Sequence, residues 1–193
     1  MTSRVLLFIA SVLALSACSN EVAPSSHEAP ADVIYESSAT HEVWERLDEA
    51  TVLGTEAMGP QLTAPVGPLV RSGEPVAFTW TESEAALELR HRKSMLHAPS
   101  RLALVLRDLC RPVAHAHTPV TGDMYRAIFT IPGVETPVRV LTGATTYTPS
   151  ADAWQRITAA TGPITLTLEY AYLDTGHITD GPYRGPVNTL TLE

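Results

Sequence analysis

Four of the seven histidines of the chain are concentrated in one stretch: His91, His97, His115 and His117. The last two form a His-Ala-His sequence, and in an extended segment side chains two residues apart share a face, about 6–7 Å from each other. Neutral imidazoles at that spacing can bind Cu²⁺ or Zn²⁺, and His97 is the candidate third ligand. The alternative is an exposed loop that binds no metal. We favour that alternative because the sequence fixes no third ligand.

The sequence lacks the common catalytic motifs: it contains no G-x-S-x-G, S-x-x-K, H-E-x-x-H or P-loop pattern. Asp108 can be combined with a histidine and a serine into a nominal triad, but almost any sequence allows such a combination. Glu82 and Glu84 fit helix capping better than acid–base catalysis. We therefore predict no catalytic residues and no enzymatic activity.

Two further groups of polar residues are candidate binding elements. The one basic cluster is a run of four residues, Arg90, His91, Arg92 and Lys93. It could contact phosphate or an acidic glycan, although a solvated helix face is the favoured interpretation. A Gly- and Pro-rich segment, residues 176–186, is predicted as a loop with four candidate ligand-contacting side chains: His177, Asp180, Tyr183 and Arg184. Loops at the end of a β-sandwich often bind ligands, but this composition favours a plain turn.

The first eighteen residues have the pattern of an exported protein. Arg4 is followed by an apolar run at residues 5–15, which is too short to cross a bilayer core of about 30 Å. The sequence Leu-Ser-Ala-Cys that ends at Cys18 resembles the lipobox of bacterial lipoproteins. The resemblance implies that residues 1–17 are a signal peptide, that Cys18 carries lipid, and that residues 18–39 are a lipidated N-terminus and flexible tether. The alternative is an ordinary secretory signal in which the cysteine occurs by chance.

Charge and cysteine content limit the partners and the location. The formal net charge is −8, which argues against nucleic acid, so the lipid is the expected membrane contact. No other cofactor is expected apart from the copper or zinc alternative. Ser19 rather than aspartate follows Cys18, and by resemblance to the sorting pattern of Gram-negative lipoproteins this implies the outer membrane. Cys110 is the second of two cysteines and is expected to be a buried apolar thiol. Because Cys18 is expected to carry the lipid, no internal disulfide is expected.

Apolar residues at helical spacing predict helices in three places. Residues 40–57 are predicted as a short helical segment that packs on the domain, with Thr40 as its N-cap. Its inner face is a set of four residues, Val43, Trp44, Leu47 and Ala50.

A helical insertion is predicted at residues 83–111, beginning with a capping box between Thr81 and Glu84. Its second half has one apolar stripe, made of Leu102, Val105, Leu106, Leu109 and Cys110. A short helix is predicted near residues 149–160, with Thr148 as its cap.

Alternation of bulky with polar residues predicts strands on both sides of the insertion. The segments are residues 76–81, 124–131, 138–140, 164–172 and 188–192. Because these strands do not alternate regularly with helices as βαβ units would, we predict a mainly β fold in which residues 58–193 form an antiparallel β-sandwich. Each of the three tryptophans lies on the apolar face of its predicted helix or strand. We therefore predict that they are core residues and do not form a sugar-binding surface: Trp44, Trp80 and Trp154.

The order of strand-like segments from Gly59 to the end resembles that of immunoglobulin-like domains of exported bacterial proteins. The resemblance rests on the order GEPVAFTW, GDMYRAIFTI, TTYTPSADAWQRI, GPITLTLEY and GPYRGPVNTLTL, and it is greatest for uncharacterised envelope lipoproteins of deltaproteobacteria. It implies an immunoglobulin-like sandwich in an exported setting and brings no catalytic residues. We therefore expect a membrane-anchored, non-enzymatic binding or structural module of the cell envelope, with a protein or glycan partner. The alternative is an envelope copper or zinc protein that uses the His-Ala-His pair.

Replacing Cys18 tests the lipoprotein prediction. Cys18→Ala removes the sulfur that would carry the lipid, so we expect the protein to lose acylation and to move from the detergent phase to the aqueous phase on Triton X-114 partitioning. Globomycin should cause the wild-type precursor to accumulate. A wild-type protein that stays in the aqueous phase, with unchanged mobility under globomycin, would contradict the prediction.

Overall fold

The computed structural model describes residues 30–96 and 119–193 as two β-sheets and three short α-helices. The strands, in chain order, are β1 Val33–Tyr35, β2 Gln61–Ala64, β3 Phe78–Thr81, β4 Gly122–Thr130, β5 Val138–Thr142, β6 Thr146–Tyr147, β7 Ile164–Asp174, β8 His177–Arg184 and β9 Asn188–Leu190. The helices are α1 His41–Glu49, α2 Glu84–Leu96 and α3 Ala151–Thr158, with a 3₁₀ turn at Glu56–Met58. The prediction of a mainly β fold is confirmed.

The larger sheet has the strand order β1-β5-β4-β7-β8, and β9 pairs with the beginning of β7. All of its pairings are antiparallel except one, since β1 runs parallel to β5. The sheet is therefore mixed, which corrects the purely antiparallel prediction. Val33–Tyr35 lie within the predicted tether of residues 18–39, yet their backbone hydrogen bonds extend the free edge of β5. The smaller sheet is antiparallel, in the order β2-β3-β6.

The two faces of the larger sheet bury different groups because side chains alternate along a strand. One face packs against the smaller sheet and α3, with Phe78 and Phe129 in edge-to-face contact at 4.9 Å between ring centroids. The other face packs against α1 through Val43, Trp44 and Leu47. The predicted inner face of α1 is thus confirmed for three of its four residues, since Ala50 is the partly exposed C-cap, and the predicted core position of all three tryptophans is confirmed.

Two helix starts differ from the predictions. The capping box at Thr81–Glu84 is wrong, because Thr81 is still in β3 and Ser83 accepts the hydrogen bond from the Ala86 amide at 3.0 Å. In α3 the cap is Ser150, two residues after the predicted Thr148, and it accepts from the Ala153 amide at 3.3 Å. In both cases the hydroxyl immediately before the first helical residue is the one that reaches an unpaired amide.

The predicted loop at residues 176–186 is largely strand β8. Its pairing with β7 shifts register between Tyr170 and Tyr172, so a bulge absorbs the Gly-Pro dipeptide that suggested a loop. Gly181 lies at that bulge with φ +84°, and a Cβ there would be 2.7 Å from the carbonyl oxygen of Tyr170. Only glycine fits this position without strain.

The predicted helical insertion is described only in its first part, as α2. Its second half, including the stripe at residues 102–110, lies outside the described residues. Among the helices of residues 30–96 and 119–193, none combines the length and the hydropathy that spanning a bilayer requires.

A row of charges crosses three strands on the face that carries α1. Arg126 of β4, Glu169 of β7 and Arg184 of β8 are direct cross-strand neighbours. Glu169 is 1% exposed and accepts hydrogen bonds from Arg126 Nε at 2.6 Å and from Arg184 Nε at 2.7 Å. Arg126 also donates to Asp48 of α1 at 3.0 Å, and its guanidinium lies 5.2 Å from the Trp44 ring. We call Arg126, Glu169 and Arg184 the charge row.

Glu169→Gln should destabilise the fold strongly. It leaves the buried Arg126 guanidinium without its closest counter-charge, and breaking a buried ion pair costs about 3–5 kcal/mol. Glu88→Gln is the matched control, since Glu88 pairs with Arg92 in the solvent and such pairs contribute about 0.3–0.5 kcal/mol. Urea unfolding of both variants measures the difference. Equal losses would contradict a structural role for the charge row.

Candidate functional site

The opposite face of the same three strands carries a row of tyrosines. Tyr125, Tyr170 and Tyr183 are cross-strand neighbours, each one residue along from a member of the charge row. All three are buried, and their ring centroids are 5.3 and 6.5 Å apart along the row. Trp80 of the smaller sheet continues the row, 5.9 Å from Tyr125. The row is a rigid aromatic surface between the two sheets.

Two carboxylates and one arginine lie against these rings. Asp123 and Tyr172 are the next cross-strand pair of β4 and β7, on the same face as Tyr125 and Tyr170. Glu82 joins β3 to α2, and Arg90 belongs to α2. We call the group the tyrosine–carboxylate cluster; it consists of Glu82, Arg90, Asp123, Tyr125, Tyr170 and Tyr172.

Hydrogen bonds connect the cluster across four elements. Tyr125 donates its hydroxyl proton to Glu82 Oε1 at 2.9 Å, and Tyr170 donates to Asp123 Oδ1 at 2.9 Å. Arg90 donates to Glu82 Oε2 at 2.9 Å, to Asp123 Oδ1 at 3.4 Å and to the Tyr170 hydroxyl. Each carboxylate thus receives one tyrosine and the arginine, which fixes both carboxylates in position.

The Arg90 guanidinium is also held by aromatic rings. Its central carbon is 5.1 Å from the centroid of Tyr170 and 5.4 Å from that of Tyr172. Cations are attracted to aromatic faces at such distances. Two carboxylates, a hydroxyl and two rings therefore surround a single guanidinium, a combination that recognises a planar cation through charge, directed hydrogen bonds and stacking.

Burial and neighbouring charges shift the acid–base properties of the site. Burial raises the pKa of Asp123, the negative charge of Glu82 raises it further, and Arg90 partly offsets both. Burial and the adjacent Glu82 carboxylate likewise raise the pKa of Tyr125, so its hydroxyl remains a proton donor. Outside the cluster, burial and a hydrogen bond to Asp180 raise the pKa of Tyr183 to about 12. These tyrosines are neutral donors at physiological pH and are not poised as nucleophiles.

Arg90 departs from the expectation of a solvated basic cluster. His91 and Arg92 are exposed, and Arg92 pairs with Glu88 one turn away at 2.9 Å. Arg90 instead lies one turn after the buried Ala86 and turns towards the larger sheet. Glu82, which the sequence suggested as a capping residue, is a member of the cluster, while Glu84 is exposed at the first residue of α2.

The four candidate residues of the predicted loop are separated by β8. Asp180 and Tyr183 are buried and joined by a hydrogen bond of 2.7 Å from the tyrosine hydroxyl. Arg184 points to the other face and belongs to the charge row. His177 is exposed, with its Nδ1 3.1 Å from Arg46 Nη1 of α1. The structure therefore does not bring the four side chains to one surface.

The predicted metal and lipid residues lie outside the described residues: Cys18, His97, His115 and His117. Within residues 30–96 and 119–193, no three His, Cys, Asp or Glu side chains are placed to hold a metal ion. The metal site and the lipidation site stay predictions.

A concave surface lies beside the smaller sheet, away from the cluster. This groove of about 350 Å³ lies between the end of β2 with the following loop and strand β9, at residues 62–68 and 188–191. Val66 is 93% exposed on its rim. None of its lining residues carries a charge, so the groove offers apolar, hydroxyl and amide contacts but no ionic contact.

The sequence contains one signal of the cluster. Tyr170 and Tyr172 are two residues apart in the clearest predicted strand, so they had to share a face. The contacts of Asp123 and Arg90 could not be predicted from the sequence, because they depend on strand register and on the position of α2.

We compared the chain with protein-family models, with curated proteins and with solved structures, and none of these comparisons found a match.

The raised pKa of Tyr183 predicts how stability depends on alkaline pH. The folded protein keeps the Tyr183 proton up to about pH 12, whereas the unfolded chain loses it near 10.0. The free energy of unfolding should therefore fall as pH rises through this interval. Tyr183→Phe removes the titration, so the slope should become shallower by up to about 1.4 kcal/mol per pH unit. Urea unfolding across this range measures the slope. Identical slopes for wild type and variant would contradict the prediction.

Proposed function

We propose that the chain is a lipid-anchored, non-enzymatic binding module of the bacterial cell envelope, and that its protein or glycan partner contacts the tyrosine–carboxylate cluster. The lipobox at Cys18 and the apolar run before it support the anchored, exported setting, with the outer membrane of a Gram-negative bacterium as the destination. The observation that carries the binding role is the set of groups around Arg90: two carboxylates and two tyrosine rings directed at one guanidinium.

The proposal includes an immunoglobulin-like arrangement of the two sheets. Its support is the shared core between β3 and β6 of the smaller sheet and β4, β5 and β7 of the larger one. The parallel strand β1 and the helix α2 are additions to such a sandwich. In this arrangement the cluster lies towards the end of the sandwich where β4 begins, and ends of sandwiches commonly bind ligands.

Exposure within the cluster favours contact with a partner. Asp123 and Tyr172 are partly exposed, whereas Tyr125 and Tyr170 beneath them are 1% exposed. A ligand at Asp123 and Tyr172 would thus meet side chains already held by buried neighbours, which lowers the entropy lost on binding.

Site-specific photo-crosslinking tests the proposal in envelopes that contain the lipidated protein. Tyr172→p-benzoylphenylalanine should give a discrete adduct, because this side chain borders the cluster. The matched control is Val66→p-benzoylphenylalanine, which is exposed in the charge-free groove and should give none. A second substitution, Asp123→Asn, should abolish the adduct at position 172.

The outcomes separate the possible partners. Peptides of a second protein in a tryptic digest of the adduct identify a protein partner, and a loss of adduct mass on muramidase treatment identifies peptidoglycan. Adducts at position 66 and not at position 172 would overturn the assignment of the cluster as the binding site.

A further inference from the structure

We infer that Arg90 is an internal ligand of the tyrosine–carboxylate cluster, and that the external ligand is an arginine side chain of a protein partner that replaces it. This inference rests on the proposed function and specifies its ligand. In the described structure the cluster is a guanidinium site that is already filled by a residue of the same chain.

The receiving half of this site is independent of α2. The acceptors for Arg90 are Glu82 before the helix, Asp123 of β4 and the Tyr170 hydroxyl of β7. Glu82 is fixed separately by the Tyr125 hydroxyl, and Asp123 by the Tyr170 hydroxyl. Removing Arg90 therefore leaves the acceptors in place.

Electrostatics favour a cation in the vacated site. Two carboxylates face a single arginine, and Glu82 already raises the pKa of Asp123 through repulsion. Without Arg90 that repulsion would be uncompensated, and two adjacent, partly buried carboxylates favour a positive charge between them.

The directions of the hydrogen bonds favour guanidinium over ammonium. The two terminal nitrogens of Arg90 donate in different directions, one to Asp123 and the other to Glu82 and Tyr170. A planar fork with five N–H donors can do this while its face lies on Tyr170 and Tyr172, whereas the compact ammonium of lysine cannot cover both requirements.

The described part of the helix that carries Arg90 buries little apolar surface, although Leu89 is partly buried against the core. Over residues 84–92, the part of α2 whose side chains are described, only Ala86 is buried, and Leu87 is 42% exposed. By comparison, α1 and α3 each bury three residues. The Arg90 side chain is 30% exposed, so an incoming ligand can approach the site from the solvent. Arg90 is thus one of the groups that attach residues 84–92 to the sheets, together with Ala86 and Leu89, and a competing guanidinium would weaken that attachment.

Binding of a small arginine probe tests the inference. The probe is N-acetyl-arginine methylamide, with the lysine analogue as comparator, and affinities are measured by calorimetry or NMR titration. If Arg90 fills the site most of the time, Arg90→Ala should bind the arginine probe about tenfold or more tightly than wild type, because the competent fraction rises. Arg92→Ala is the matched control on the same helix and should behave like wild type, and the lysine analogue should bind more weakly to Arg90→Ala.

Hydrogen exchange on the wild-type protein gives a second measurement that does not require a variant to fold. Saturating arginine probe should speed amide exchange in α2 and leave α1 unchanged. A folded Arg90→Ala that binds no more tightly than wild type would overturn the inference, as would α2 exchange that does not respond to the probe.

The two proposals can fail separately. Loss of the probe effect with a retained, Asp123-dependent crosslink at position 172 rejects only the internal-ligand inference. Loss of that crosslink rejects the binding site itself.

Discussion

The buried carboxylate of Glu169 is the constraint on which the rest of the described structure depends. A charge that is 1% exposed must be paired, and its partners are the directly opposite residues on both neighbouring strands, Arg126 and Arg184. A slip of β7 by one residue would bring Glu169 to the apolar face and Tyr170 to the face of α1. The ion pairs therefore select a single register for β4, β7 and β8, and Arg126 carries the same constraint to Asp48 and Trp44 of α1.

The positions of the tyrosine row and the tyrosine–carboxylate cluster follow from that register. Each tyrosine of the row lies one residue from a member of the charge row, so pairing the charges on one face aligns Tyr125, Tyr170 and Tyr183 on the other. The same alignment brings Asp123 opposite Tyr172 and within reach of the Tyr170 hydroxyl. The site is thus supported by a strongly fixed sheet, although its own carboxylates are partly exposed.

Local pattern predicted the elements well where the pattern was continuous. The alternation along β7 and the apolar face of α1 each identify their element and its buried side without any tertiary information. The prediction failed for β8, because a bulge stabilised by pairing with β7 accommodates a Gly-Pro dipeptide that is typical of a turn. The prediction also did not include β1, because its three residues form a strand through parallel pairing with the edge of β5. Of the cluster, the shared face of Tyr170 and Tyr172 was predictable, and the contacts of Arg90 and Asp123 were not.

Arg90 explains why the sequence was least informative at the site. A helix that buries little has no apolar stripe, so one arginine among four consecutive basic or histidine residues resembles a solvated face. What distinguishes Arg90 from Arg92 is the position of the acceptors, which come from β4, β7 and Glu82 in the connection from β3 to α2. The exposed Arg92 pairs with Glu88 of its own helix and adds nothing to how α2 is held on the sheet. A polar attachment of this kind can be exchanged for a ligand of the same chemistry, whereas a buried apolar stripe cannot, because its stability comes from area removed from water. The small apolar burial of residues 84–92 and the polar contacts of Arg90 are therefore two features of one arrangement.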